Sequence, residues 1–182
     1  MVRGWLYYLM IPLMALASLF QSTAANRLAI RNVKPDLVLI LVLIGCMLYG
    51  PRIAVLWAFV GGLFLDIFSG GPLGASSLAL MAAVLVTGLG YRTFSRYHLL
   101  VPIGVSIVGT IVYGVTYLGV LAFLDTLAGV DWLNLPRREI PFWPTVQNVI
   151  GPALLYNTTL MILAVPFLNR LPETPEAETS FS

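Results

Sequence analysis

The sequence predicts an all-α polytopic membrane protein, a bundle of about six transmembrane helices built as one domain over residues 1–171. Three observations carry this reading. Hydrophobic residues fill 59% of the 182 positions and charged residues only 10%, against roughly 25% charged in soluble domains. Mean hydropathy is +0.91. The apolar residues fall into runs of membrane-spanning scale, separated by short stretches of proline, glycine and charge.

Little chain is left for a water-soluble module. The longest polar stretch between runs, residues 125–145, itself contains Trp132, Leu133, Ile140, Phe142 and Trp143. A formal charge of +2 is too small to argue for a nucleic-acid partner. The single cysteine, Cys46, lies in an apolar run, forms no internal disulfide and reports no redox compartment.

The first run covers residues 5–25. It follows Met1-Val2-Arg3 and resembles a signal peptide at its start, but a signal's apolar core is only about 7–15 residues and further spans follow. The second helix is expected over 37–49, where Pro35 and Asp36 suit a helix start. Gly50-Pro51-Arg52 breaks the chain before a third helix over 53–68. The fourth covers 75–94, with Arg92, Arg96 and His98 at its polar end. The fifth covers 100–124 and the sixth 146–168, and residues 172–182 read as a disordered acidic tail. At helical rise the second and third helices span roughly 20 and 24 Å, against about 30 Å of hydrocarbon. As one helix they would be too long, so a hairpin of short spans is expected, with thinned bilayer or partner helices covering the mismatch. A re-entrant pair, and so five spans, is the competing count.

Charge does not orient the bundle. With both termini on one side, that side carries Arg3, Arg52, Arg92, Arg96 and Arg170, and the other carries Arg27, Arg31, Lys34, Arg137 and Arg138. The positive-inside rule returns a tie.

The segment Gly61-Gly62-Leu63-Phe64-Leu65-Asp66-Ile67-Phe68-Ser69-Gly70-Gly71-Pro72-Leu73-Gly74 holds the one carboxylate placed well inside an apolar run. An ionisable group near hydrocarbon needs a physical reason. Asp66 lies about one turn before a glycine–proline turn, at a helix C-terminus, where the helix dipole opposes a negative charge. Something else must favour it. Arg27, Arg31, Lys34, Arg137 and Arg138 share its side, and the expectation is that Asp66 pairs with Arg27 or Arg31; a charge swap that fails to restore what Asp66→Arg destroys would argue against the pairing. The simpler alternative is that Asp66 reaches headgroups and water. Proton coupling lacks a second acid to relay to. Gly70, Gly71, Pro72 and Gly74 permit the turn, and the hydroxyls of Ser76 and Ser77 are expected to cap the fourth helix.

Small residues recur at helix-packing spacing. Ser106, Thr110 and Gly114 form one stripe and Ala58 and Gly62 another, which reads first as internal packing and second as contact with a partner's helix. Asn157 and Asn148 are polar groups within the sixth run, expected to cross-link helices; lining a small-molecule pocket is the alternative. Trp132, Phe142 and Trp143 read as interfacial anchors.

The case for an enzyme is thin. The chain carries no GxxxxGK[ST], no HExxH and no cysteine pair. Gly74-Ala75-Ser76-Ser77 resembles the Gly-x-Ser of rhomboid-type intramembrane proteases, with His98 as the base. At helical rise, however, Ser76 and His98 sit roughly 30 Å apart, and a serine nucleophile needs its base within hydrogen-bond reach. No catalytic residue, cofactor or metal is assigned.

The segment from Gly61 to Gly74, together with Pro35-Asp36-Leu37, Leu155-Tyr156-Asn157-Thr158 and the run Pro166-Phe167-Leu168-Asn169-Arg170-Leu171, resembles the MreD family of bacterial rod-shape-determining proteins. The core looks like the family's G-x-x-x-D-x-x-x-G-x-P-x-G pattern, and the likeness covers about residues 5–171. It implies a fold similar to the substrate-binding S-components of energy-coupling-factor vitamin transporters. It also implies a non-enzymatic inner-membrane protein with both termini cytoplasmic, which breaks the charge tie. The partners implied are MreC, the MreB cytoskeleton, a class B penicillin-binding protein, a SEDS glycosyltransferase and membrane lipid. The partner-surface candidates are Asp66, Gly62, Gly70, Pro72, Gly74, Arg27, Arg31 and Asn157. A vitamin-binding transporter subunit is the second reading.

Overall fold

The computed structural model describes residues 2–23, 35–89, 100–128 and 142–168. They form six helices: α1 (Val2–Thr23), α2 (Leu37–Tyr49), α3 (Pro51–Ser69), α4 (Ala75–Gly88), α5 (Leu100–Ala128), and a continuous α6 made of Phe142–Thr145, a π-helical segment Val146–Ile150, and Gly151–Leu168. No strand occurs among the described residues. α3, α5 and α6 are long and apolar enough to cross a membrane by themselves, while α2 and α4 are shorter apolar helices.

α2 is the centre of the bundle, touching α1, α3, α4, α5 and α6. Its sequence explains this position. The run Leu-Val-Leu-Ile-Leu-Val-Leu-Ile-Gly-Cys-Met-Leu-Tyr has no polar stripe to present to water, and a helix apolar all round is a buried helix. Val38, Leu39, Val42 and Leu43 are completely buried and pack with Met14, Ala54, Ala58, Leu80, Ala83 and Val84. Protein on every side, not lipid, surrounds this short helix.

The hairpin of α2 and α3 is present. Gly50 turns the chain alone at φ 84°, a left-handed value that a side chain would resist. It ends α2 through Gly50 N–H donating to the Cys46 carbonyl at 3.0 Å, and its own carbonyl accepts from Ala54 N at 3.2 Å to start α3. Pro51 occupies the first helical turn, where its missing N–H is not needed.

α6 begins at Phe142, earlier than the expected 146, and its π segment has a local cause. Pro152 has no N–H to give the Asn148 carbonyl, and its ring would press on that group in a regular α-helix. The wider turn relieves the clash, with Gly151 N–H donating to Val146 O, five residues back. α1 starts at Val2 and α5 runs on to Ala128. Of the expected fourth helix, residues beyond 89 lie outside the described residues, as do Trp132, the 125–145 stretch from residue 129 to 141, His98 and the acidic tail.

The outward faces are large and apolar: Leu16 and Phe20 on α1, Leu56, Phe59 and Ile67 on α3, Leu78 and Leu85 on α4, Ile111 and Val115 on α5, Leu155 and Leu163 on α6. The small residues turn inward. This is the reverse of a soluble protein and the expected arrangement in lipid, where close approach of backbones holds helices together.

Candidate functional site

The 3–4 turn and Asp66 form the first half of the site. Gly70 ends α3 at φ 68° and Gly74 precedes α4 at φ 91°, two left-handed positions that call for glycine. Gly74 therefore stands at the N-cap of α4 and brings no side chain to cap it. The helix begins with backbone N–H groups that need an acceptor. Asp66 supplies it from the last turn of α3. Its Oδ2 accepts from Gly74 N–H at 2.7 Å, and both its oxygens lie near Ser76 N–H, at 3.2 and 3.3 Å. The side chain is 1% exposed.

This arrangement answers the electrostatic objection to Asp66. Its carboxylate stands at the wrong end of α3 but at the right end of α4, where the dipole and the free N–H groups favour negative charge. The partners expected from the sequence, Arg27 and Arg31, lie outside the described residues. The expected caps are corrected. Ser76 receives the cap through its backbone, and the Ser77 hydroxyl donates to the Phe59 carbonyl of α3 at 2.9 Å. Pro72 adds one bond, its carbonyl accepting from Ala75 N–H at 3.1 Å.

Gly62 sets the approach of α3 to α4. A Cβ there would stand 2.3 Å from Ser77 Cα and 2.4 Å from Ser77 N. The two backbones are therefore in contact through a missing side chain, and this closeness is what brings Asp66 onto the start of α4. Ala58, four residues earlier, is fully buried.

Asn157 organises the second half. Its Oδ1 accepts from Asp36 N–H at 2.9 Å, and its Nδ2 donates to Thr110 Oγ1 at 3.1 Å. Asn157 thus joins α6 to the start of α2 and to α5, as a buried cross-link. Asp36 caps α2 through Leu39 N–H at 3.0 Å and accepts from Gln21 Nε2 at 3.1 Å, while Gln21 Oε1 accepts from Val38 N–H at 3.2 Å. Gln21 closes the site from α1, and the sequence reading missed it. Tyr113 of α5 bridges the halves, with its hydroxyl interacting with the side chains of Asp36 and of Ser76. One polar layer therefore ties all six helices at a single level.

Of the two small-residue stripes, both are internal. Ser106 is completely buried, Thr110 holds Asn157, and a Cβ on Gly114 would meet Ile150 of α6 at 2.7 Å. Asn148 and Trp143 are exposed on α6. Replacing Asn157 with Leu leaves the Asp36 N–H without an acceptor. The expected loss is about 2 kcal/mol, read as the unfolding midpoint of the purified protein in mixed micelles; an unchanged midpoint would show that the cross-link does not hold the bundle.

Fold and site define a polytopic α-helical membrane bundle whose buried polar groups join helices. Residues 2–173 match the family model described as rod shape-determining protein MreD, and the chain belongs to that family. Comparison with curated proteins and with solved structures gives no match. The family places the chain in rod-shape determination, as a membrane-associated part of that machinery. The likeness to S-components implied by the sequence has no structural match behind it.

Proposed function

We propose that this chain is a non-enzymatic inner-membrane component of the cell-elongation complex, with both termini cytoplasmic, which binds MreC and helps to organise peptidoglycan synthesis at the lateral wall. Through MreC it works alongside the MreB cytoskeleton, a class B penicillin-binding protein and a SEDS glycosyltransferase. The observation that carries this reading is the use made of the polar layer. Asp36, Asp66, Asn157 and Gln21 all donate to or accept from groups on neighbouring helices or turns. Groups committed in this way fix a shape, and a fixed shape is what a partner helix and a membrane-proximal domain need in order to dock in one orientation.

Detergent extraction and pull-down of the tagged chain is expected to recover MreC, and depletion of the chain is expected to round the cells. Recovery of an ATPase-bearing transporter module with a bound vitamin would instead establish the S-component reading and overturn this one.

A further inference from the structure

Two asparagines lie in α6, and only Asn157 finds its partners inside the bundle. Asn148 and its neighbour Gln147 are exposed. Among the described residues neither carboxamide has a hydrogen-bond partner. Other polar side chains on the outer surface are satisfied by their own helix. The hydroxyls of Thr23, Thr126 and Thr159 each donate to the carbonyl four residues back, at 2.6, 2.9 and 2.7 Å. A carboxamide brings two donors and an acceptor, and at 147 and 148 the helix serves none of them.

Their depth makes this costly. The membrane-spanning part of α6 runs from Trp143 to Pro166, 24 residues, or roughly 36 Å against about 30 Å of hydrocarbon. The exposed Trp143 suits the interface. Gln147 and Asn148 stand roughly 6–8 Å further in, past the hydrocarbon edge. A polar group at that level gains by bonding across to another helix.

The backbone beside them is also open. Gly151 N–H is given to the Val146 carbonyl, and Pro152 has no N–H. The helix therefore offers the Gln147 carbonyl no donor of its own. Nothing lies within 4 Å of the place where a Cβ on Gly151 would stand. One exposed patch thus gathers two carboxamides, a backbone acceptor and room for close approach. The exposed face of α3 has none of this, showing Leu56, Phe59, Leu63 and Ile67 instead.

We propose that this patch is where a second copy of the chain docks, α6 against α6. Two copies share one orientation in the membrane, so a twofold axis along its normal sets the same residues opposite each other. Such a contact needs groups that complement themselves. A carboxamide does, donating N–H to its copy and accepting in return, whereas a charged group would repel its copy. No charged residue occurs in 142–168. The crossing falls at Gly151, where the backbones can meet, with Gln147 and Asn148 bonding across the axis one turn away.

Cysteine cross-linking of the full-length protein tests this. In a Cys46→Ala background, Leu155→Cys places a thiol one turn beyond Gly151, at a position 74% exposed, and Leu56→Cys on α3 reports random collision. Each variant is reconstituted in phosphatidylcholine vesicles at high lipid excess and oxidised with copper–phenanthroline. The disulfide-linked dimer is expected to be at least fivefold more abundant with Leu155→Cys than with Leu56→Cys. Two further changes are each expected to lower the Leu155→Cys yield at least threefold: Gln147→Leu with Asn148→Leu, which removes the bonds, and Gly151→Leu, which fills the crossing without touching the bundle. Equal yields at 155 and 56 would mean that lipid or a different partner covers the face, and would overturn the proposal. So would a Leu155→Cys yield that neither change lowers. The experiment uses this chain alone, so its failure leaves the MreC reading untouched.

Discussion

Gly62→Ala is expected to be the most damaging single-methyl change in the bundle. The added Cβ meets backbone, Ser77 Cα at 2.3 Å and Ser77 N at 2.4 Å, and a backbone cannot rotate away. α3 and α4 must separate, and Asp66 is then pulled off the start of α4. The loss lies at the upper end of the roughly 1–3 kcal/mol of overpacking, a fall of about 6–12 °C in unfolding temperature for a chain of this size. Two comparisons isolate the cause. At Gly114 the new methyl would meet the end of the Ile150 side chain, which can shift, so Gly114→Ala is expected to cost less. At Gly104 and Gly119 nothing lies within 4 Å, so alanine there is expected to be neutral or mildly stabilising through helix propensity. Equal loss at Gly62 and Gly104, measured by thermal unfolding in detergent, would contradict the packing account.

Asp66→Ala is the second large effect. It removes the acceptor of the buried Ser76 N–H and of the part-buried Gly74 N–H. Each buried donor left without a partner costs about 1–3 kcal/mol, and a charged acceptor stands at the higher end. The expected total is about 3–5 kcal/mol, concentrated at the first turn of α4. Hydrogen exchange is expected to rise across residues 74–78 first, because that turn has no cap of its own. Uniform exchange throughout the bundle, with no excess at 74–78, would show that Asp66 does not act as the cap.

The helices were largely legible because lipid makes burial and hydropathy nearly the same signal. The break at Gly50 and the start of α2 at Asp36 also followed from turn and capping chemistry. Helix ends were less legible. α6 begins at Phe142 because its prolines are accommodated, Pro152 by a π segment, and no hydropathy window registers that. The N–H groups that hold Asp66 were not legible for a physical reason: a carboxylate in an apolar run points first to a partner of opposite charge, whereas it can also be satisfied by the N–H groups of a helix start. A signal was present: Gly74 stands where α4 needs a cap and has no side chain, so some residue elsewhere must serve. Asn157 was expected to join helices and does, but its partnership with the Asp36 backbone spans 121 positions, and Gln21 enters only through the third dimension. Arg27 and Arg31 lie outside the described residues, so their pairing with Asp66 stays a proposal for the charge swap to decide.

If Asp66 serves as an architectural cap, its hydrogen-bond acceptor and not its ionisation is what the cell needs. Asp66→Asn tests it most directly, because the amide oxygen can still accept from Gly74 and Ser76 N–H but the side chain neither carries charge nor exchanges a proton. The measurement is cell shape when each variant replaces the chromosomal copy, with membrane levels of the protein measured in parallel. Rods are expected with Asp66→Asn and round cells with Asp66→Ala, the latter accompanied by a fall in the folded protein. Round cells carrying normal amounts of folded Asp66→Asn protein would contradict it, since the charge itself would then be what rod shape requires.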